Sequence, residues 1–111
     1  MRGLERRVFV SSFNHYSLQR LHTLAPELPT AILYSEVLYK PWEYAGSFGV
    51  QGLHPHFRTV TAEMVAAAQA AGVAVRPWTV DDAADLTAMV AAGVDAVITN
   101  RVDRALAVIG S

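Results

Sequence analysis

His54 and His56 stand two residues apart, flanking Pro55. On an extended segment that spacing turns both imidazoles to one side, where they could share a ligand. Two histidines do not make a metal site, because a catalytic metal usually takes about three protein ligands. Glu36 could complete a set of two histidines and one carboxylate, which would make a metal hydrolase. The plainer expectation is a pair of loop histidines bonded to backbone. Trp78 precedes Thr79, and Arg76 lies two residues earlier, on the same side of a strand as Trp78. An aromatic ring there can wall a substrate pocket or pack under a loop. The planar guanidinium of Arg76 suits a phosphate, or a carboxylate in a polar layer. Ser11, Ser12 and His15 offer a nucleophile and a base, but no Gly-x-Ser-x-Gly turn exposes either serine. Trp42, Tyr44 and Phe48 read as core, and Asp95 as a turn residue.

These groups need elements to position them. Short β-branched or aromatic runs begin near Val8, Ala31, Val50, Val73 and Ala96, roughly 20 residues apart. Each interval holds one strand, one helix and two short connections. Asn14 and Thr61 are expected helix caps, Pro41 opens a short helix, and Asp81 or Asp82 starts another. Pro26 and Pro29 end the first helix, while Gly49, Gly72 and Gly93 end the next three. Helices ending in Ala-Gly with a strand immediately after belong to parallel sheets with right-handed crossovers.

The pattern fits either an open doubly wound sheet or a β/α barrel. The first strand leads into Ser12-Phe13-Asn14-His15, with none of the glycines a dinucleotide site needs, and no Walker-type loop occurs. Polar and aromatic residues gather instead after the strand ends: Asn14, His15, Glu36, His54, His56, Trp78, Thr79, Thr99 and Asn100. A barrel builds its site this way. The fold expected is α/β, a partial TIM (β/α)8 barrel of five parallel βα units, in a single domain over residues 1–111.

The sequence of 111 residues has no cysteine and a net charge of −1. That excludes a disulfide scaffold and a thiolate metal centre, and it agrees with a cytoplasmic setting. No basic stripe suggests nucleic acid. No run approaches the roughly 18 apolar residues of a membrane span, and no signal peptide is expected at the N-terminus.

Four segments carry a resemblance: Val10 to Leu18 (VSSFNHYSL), Gly52 to Pro55 (GLHP), Pro77 to Val80 (PWTV) and Gly93 to Asn100 (GVDAVITN). With Ile32 to Glu36 and Tyr39 to Tyr44, they resemble the C-terminal part of bacterial glycerophosphodiester phosphodiesterases. The resemblance implies strands four to eight of a TIM barrel that hydrolyses glycerophosphodiesters to glycerol 3-phosphate and an alcohol, in lipid and glycerol metabolism. It implies a divalent metal, Mg²⁺ or Ca²⁺, bound by the N-terminal part of the family and not by this chain. The family's His-Arg-Gly, its Glu-x-Asp metal pair and its later acidic ligand and lysine have no counterpart here. Asn100-Arg101-Val102-Asp103 also departs from the family's Asp-x-Pro-Asp. What carries over is a pocket wall of Phe13 and Trp78, with His54 near the mouth; no catalytic or metal role transfers. The expectation is a truncated chain, inactive alone. It would self-associate, or accept a complementing N-terminal half, because an open barrel exposes both sheet edges. A non-enzymatic ligand-binding module or split-enzyme subunit is the alternative.

Overall fold

The computed structural model describes residues 10–25 and 29–109. Four parallel strands form one sheet, β1 (Val10–Ser12), β2 (Thr30–Tyr34), β3 (Gly52–Pro55) and β4 (Ala74–Val75), lying side by side in chain order. Helices α1 (His15–Leu24), α2 (Pro41–Gly46), α3 (Ala62–Ala70), α4 (Ala83–Ala92) and α5 (Val102–Ile109) follow the strands, with a 3₁₀ turn at Phe57–Thr59. Val8, Phe9 and Pro26, which the sequence assigns to the first strand and a helix stop, lie outside the described residues.

Local chemistry explains the helix boundaries. Asn14 accepts from the amide of Ser17, and Thr61 from that of Met64, so each cap satisfies one orphan amide of its helix. Pro41 occupies the first turn of α2, where no amide hydrogen is required. Gly93 ends α4 at φ +85°, a conformation that favours glycine. Asp82 sits at the start of α4 without a side-chain cap bond. Asp81 turns away, its Oδ1 accepting from the Thr99 hydroxyl at 2.9 Å and the Asn100 amide at 2.8 Å. The Asn100 amide, and then Thr99, hold the Asp81 carboxyl below the usual carboxylate range.

The register separates two faces. Ser11, Ala31, Gly52 and Ala74 lie in one row across the four strands. Side chains alternate, so Ile32, Tyr34, Leu53 and Val75 point the other way. These four are buried with Leu18, Ala45, Val50, Val65, Ala68 and Val73, which come from the helices and their connections. A second cluster, Val80, Leu86, Met89 and Ala105, holds α4 and α5 together. All described helices that contribute to the first cluster cover one face of the sheet; the row of small residues lies on the opposite face.

The expected fifth strand is the main correction. Ala96–Thr99 runs beside β4 but forms no regular ladder. The amides of Arg76 and Trp78 donate to Leu53 and Pro55 of β3, so residue 77 must serve the other side. Residue 77 is proline and has no hydrogen to donate. The amide of Val75 is also taken: it donates to Asp95 Oδ2 at 2.7 Å. The last segment therefore keeps only scattered bonds: Asp95 to the Val75 carbonyl, Ile98 to the Pro77 carbonyl, and Val80 to the Ile98 carbonyl. Asp95 is thus more than a turn residue. Its removal in Asp95→Ala leaves the fully buried Val75 without that acceptor. The expected loss is about 1–3 kcal/mol by urea unfolding, with a smaller loss in Asp95→Asn, which keeps an acceptor oxygen.

Candidate functional site

The face away from the helices is concave. Phe13 leaves β1 and Trp78 follows β4, with β2 and β3 between them in the sheet. Their rings nevertheless meet edge to face, with centroids 5.9 Å apart. The sheet must curve for its two flanks to touch, as a barrel wall does. Trp78 is fixed on both sides: its Nε1 donates to the His54 carbonyl at 2.6 Å, and its ring meets His56 edge to face at 5.1 Å. Phe13 remains 61% exposed, so the wall presents one free aromatic and one anchored aromatic. Offset and edge contacts of this kind favour aromatic geometry beyond the area they bury.

Below the wall, the row of small residues has a reason. Arg76 extends sideways across β3: a Cβ on Gly52 would lie 2.7 Å from Arg76 Nη2 and 3.0 Å from Ala31 Cβ. Only a residue without a side chain lets the guanidinium lie there. Arg76 Nε donates to His54 Nε2 at 2.9 Å. The imidazole must therefore keep its own hydrogen on Nδ1, which is buried and has no partner among the described residues. Burial first, and the Arg76 charge second, push the His54 pKa down to about 4. His54 is a neutral acceptor at physiological pH. Arg76 itself is lowered by burial, with Asp95 opposing the shift.

The structure places Phe13, Trp78 and His54 on one face of the sheet. It does not bring His54, His56 and Glu36 together as a metal set. Among the described residues no group of three or more His, Asp or Glu could hold a metal ion. His54 Nε2 faces a guanidinium, His56 Nδ1 accepts from the Arg58 amide, and Glu36 is exposed, bonded to Ser35. Among the described residues, the donors present do not fit the divalent metal that the resemblance implies. The serine–histidine arrangement fails too. His15 Nε2 donates to the Leu33 carbonyl at 3.1 Å, so Nδ1 accepts from the Tyr44 hydroxyl at 2.9 Å. Both nitrogens are engaged, and Ser12 Oγ accepts from the Asn14 amide. Tyr44, expected in the core, is 45% exposed and serves this bond instead. The His54–Arg76 bond was not readable from spacing, because it depends on the register between β3 and β4.

Residues 1–104 match the sequence model of the glycerophosphoryl diester phosphodiesterase family. The chain belongs to that family. A glycerophosphodiester phosphodiesterase of Caldanaerobacter subterraneus is 42% identical over 98 residues, covering 88% of this chain and 40% of the relative. One from Bacillus altitudinis is 37% identical over 105 residues, covering 93% of this chain and 43% of the relative. Among solved structures, a putative glycerophosphoryl diester phosphodiesterase of Silicibacter pomeroyi superposes with a TM-score of 0.88 at 30% identity, over 95% of this chain and 38% of that one. A phosphodiesterase of Oleispira antarctica, solved with the product sn-glycerol-3-phosphate, gives 0.85 at 26% identity, over 93% of this chain and 42% of that one. The chain therefore spans about two fifths of the relatives it matches. Its parallel strands and helices are those of part of a phosphodiesterase TIM barrel. None of the helices described is long and apolar enough to cross a membrane.

Proposed function

We propose that this chain supplies the substrate-wall portion of a glycerophosphodiester phosphodiesterase barrel and is inactive alone. Residues 1–111 act as one unit, in the cytoplasm, and hydrolysis of a glycerophosphodiester to glycerol 3-phosphate and an alcohol requires added strands. Those strands would carry the metal-binding carboxylates and the histidines that move protons. The observation that carries this reading is the Phe13–Trp78 contact arched over the concave face. It offers an apolar rest for the glycerol or alcohol side of the substrate, while His54 and Arg76 make the polar floor. A wall of this kind positions a substrate, and positioning alone leaves the developing charge and the leaving alcohol without stabilisation or a proton. A barrel wall with unpaired sheet edges also favours either pairing with a second copy or insertion of a complementing N-terminal half.

The test is hydrolysis of glycerophosphocholine with Mg²⁺ or Ca²⁺, with and without EDTA. The purified chain should give no chelator-sensitive turnover. Mixed with strands one to three of the Caldanaerobacter relative, it should gain activity, and Trp78→Ala should lower kcat/KM of that complex roughly tenfold or more. Chelator-sensitive turnover by the chain alone would overturn the inactive reading. Light scattering at micromolar concentration checks association, and a well-folded monomer would sink that part.

A further inference from the structure

His56 keeps one polar atom that the fold does not use. The residue continues β3 by one position, and its backbone is held from both sides. Its amide donates to the Tyr34 carbonyl at 3.0 Å, and it bridges Trp78 in parallel register. The Phe57 amide then donates to the Trp78 carbonyl at 2.9 Å. Alternation along the strand puts the His56 side chain on the face that carries His54. Its ring is stacked on Phe57, with centroids 4.8 Å apart and planes 23° from parallel, and meets Trp78 edge to face. Nδ1 accepts from the Arg58 amide at 3.2 Å, so it carries no hydrogen. The ring hydrogen of the neutral imidazole is therefore on Nε2. Nε2 has no partner among the described residues and, unlike His54 Nδ1, is open to solvent. Backbone, ring plane and tautomer are all set before any ligand arrives. What remains is a single N–H donor beside the Phe13–Trp78 wall.

We propose that His56 Nε2 donates to a hydroxyl oxygen on the glycerol side of the substrate, and so selects hydroxyl-bearing phosphate esters over alkyl ones. The inference rests on the reading of Phe13 and Trp78 as the wall for the substrate's glycerol or alcohol side. A group lying against Trp78 comes within reach of His56, because the two rings touch. A donor already fixed in place loses little freedom on binding, so its one bond contributes to affinity. An alkyl ester would strip water from Nε2 and return no acceptor, and that penalty falls on the wrong ligand alone.

The test uses this chain alone, with nitrogen-15 in its histidines and tryptophans. The probes are sn-glycerol 3-phosphate and n-propyl phosphate, which share the phosphate and the three-carbon chain and differ in the hydroxyls. At mildly alkaline pH, NMR should find His56 protonated at Nε2 and bare at Nδ1; the opposite tautomer would overturn the proposal. Glycerol 3-phosphate should shift His56 Nε2 and Trp78 Nε1 together and saturably. Propyl phosphate should bind about fivefold more weakly. His56→Asn keeps an oxygen for the Arg58 amide and loses the donor, while His56→Phe keeps the stacked ring and loses it too. In each variant the two probes should bind within about twofold of one another. Equal affinities in the wild type, or a preference that survives both variants, would overturn the hydroxyl contact. A response of Trp78 without one at His56 Nε2 would sink this inference and leave the aromatic wall standing. Silence at both would overturn the wall as well.

Discussion

Gly49→Ala should lose about 2–5 kcal/mol of stability, a large part of the roughly 5–15 kcal/mol that holds a typical domain together. Two costs combine at this position. Gly49 sits at φ +81° in the turn between α2 and β3, and an L-residue there pays about 1–2 kcal/mol. An added Cβ would also fall on the imidazole of His22 from α1, with Cε1 at 2.7 Å. His22 is partly buried, so its ring must turn into packed surroundings or α1 or the turn must move. Overpacking of that kind commonly costs about 1–3 kcal/mol. Urea unfolding of Gly49→Ala measures the sum. Adding His22→Ala should recover the packing share and leave the backbone share. A single-variant loss below about 1 kcal/mol would show that the turn relaxes freely.

Acid should destabilise the fold well before its carboxylates titrate, because of His54. Its folded pKa of about 4 lies below the ordinary value of 6.5. The unfolded chain therefore binds a proton that the folded chain refuses between those values. The resulting stability is complete above about pH 6.5 and is lost as pH falls toward 4. At pH 4.5 the loss should be about 2–3 kcal/mol relative to pH 7, the greater part of what the separation of the two pKa values allows. Denaturant unfolding at both pH values measures it in the wild type and in His54→Asn. The variant should be weaker at pH 7 and lack most of the acid-dependent part. Equal pH profiles in the two proteins would contradict a neutral, buried imidazole. Proton NMR of the His54 ring gives the same answer directly, by locating its titration.

The elements set by neighbouring residues were readable from the sequence. Asn14 and Thr61 cap their helices because a cap needs only a side-chain oxygen and an amide two or three positions on. Gly93 closes its helix because a left-handed terminus favours glycine. The positions of Phe13 and Trp78 after separate strands were readable, but the contact between their rings depends on the curvature of the sheet. The fifth strand was not, because strand periodicity says what Ala96–Thr99 would like to be and nothing of its partner. Its partner offers a proline at residue 77 and an amide at Val75 already held by Asp95. The histidine pair misled for a similar reason. Spacing puts His54 and His56 near each other, but only the register across β3 and β4 reveals that Arg76 takes the nitrogen a metal would need.

The strand order has a kinetic consequence. Each strand's neighbour in the sheet is also its neighbour in the chain. No strand has to be threaded between two already paired, and each new pair closes a loop of only one helix and its connections. The entropy of closing such a loop grows slowly with length and stays modest here. The sheet can therefore grow from β1 toward β4 as the chain leaves the ribosome, each unit docking on the one before. In a chain built this way, slow folding would point to the closing of the concave face against a partner, a step whose rate depends on concentration.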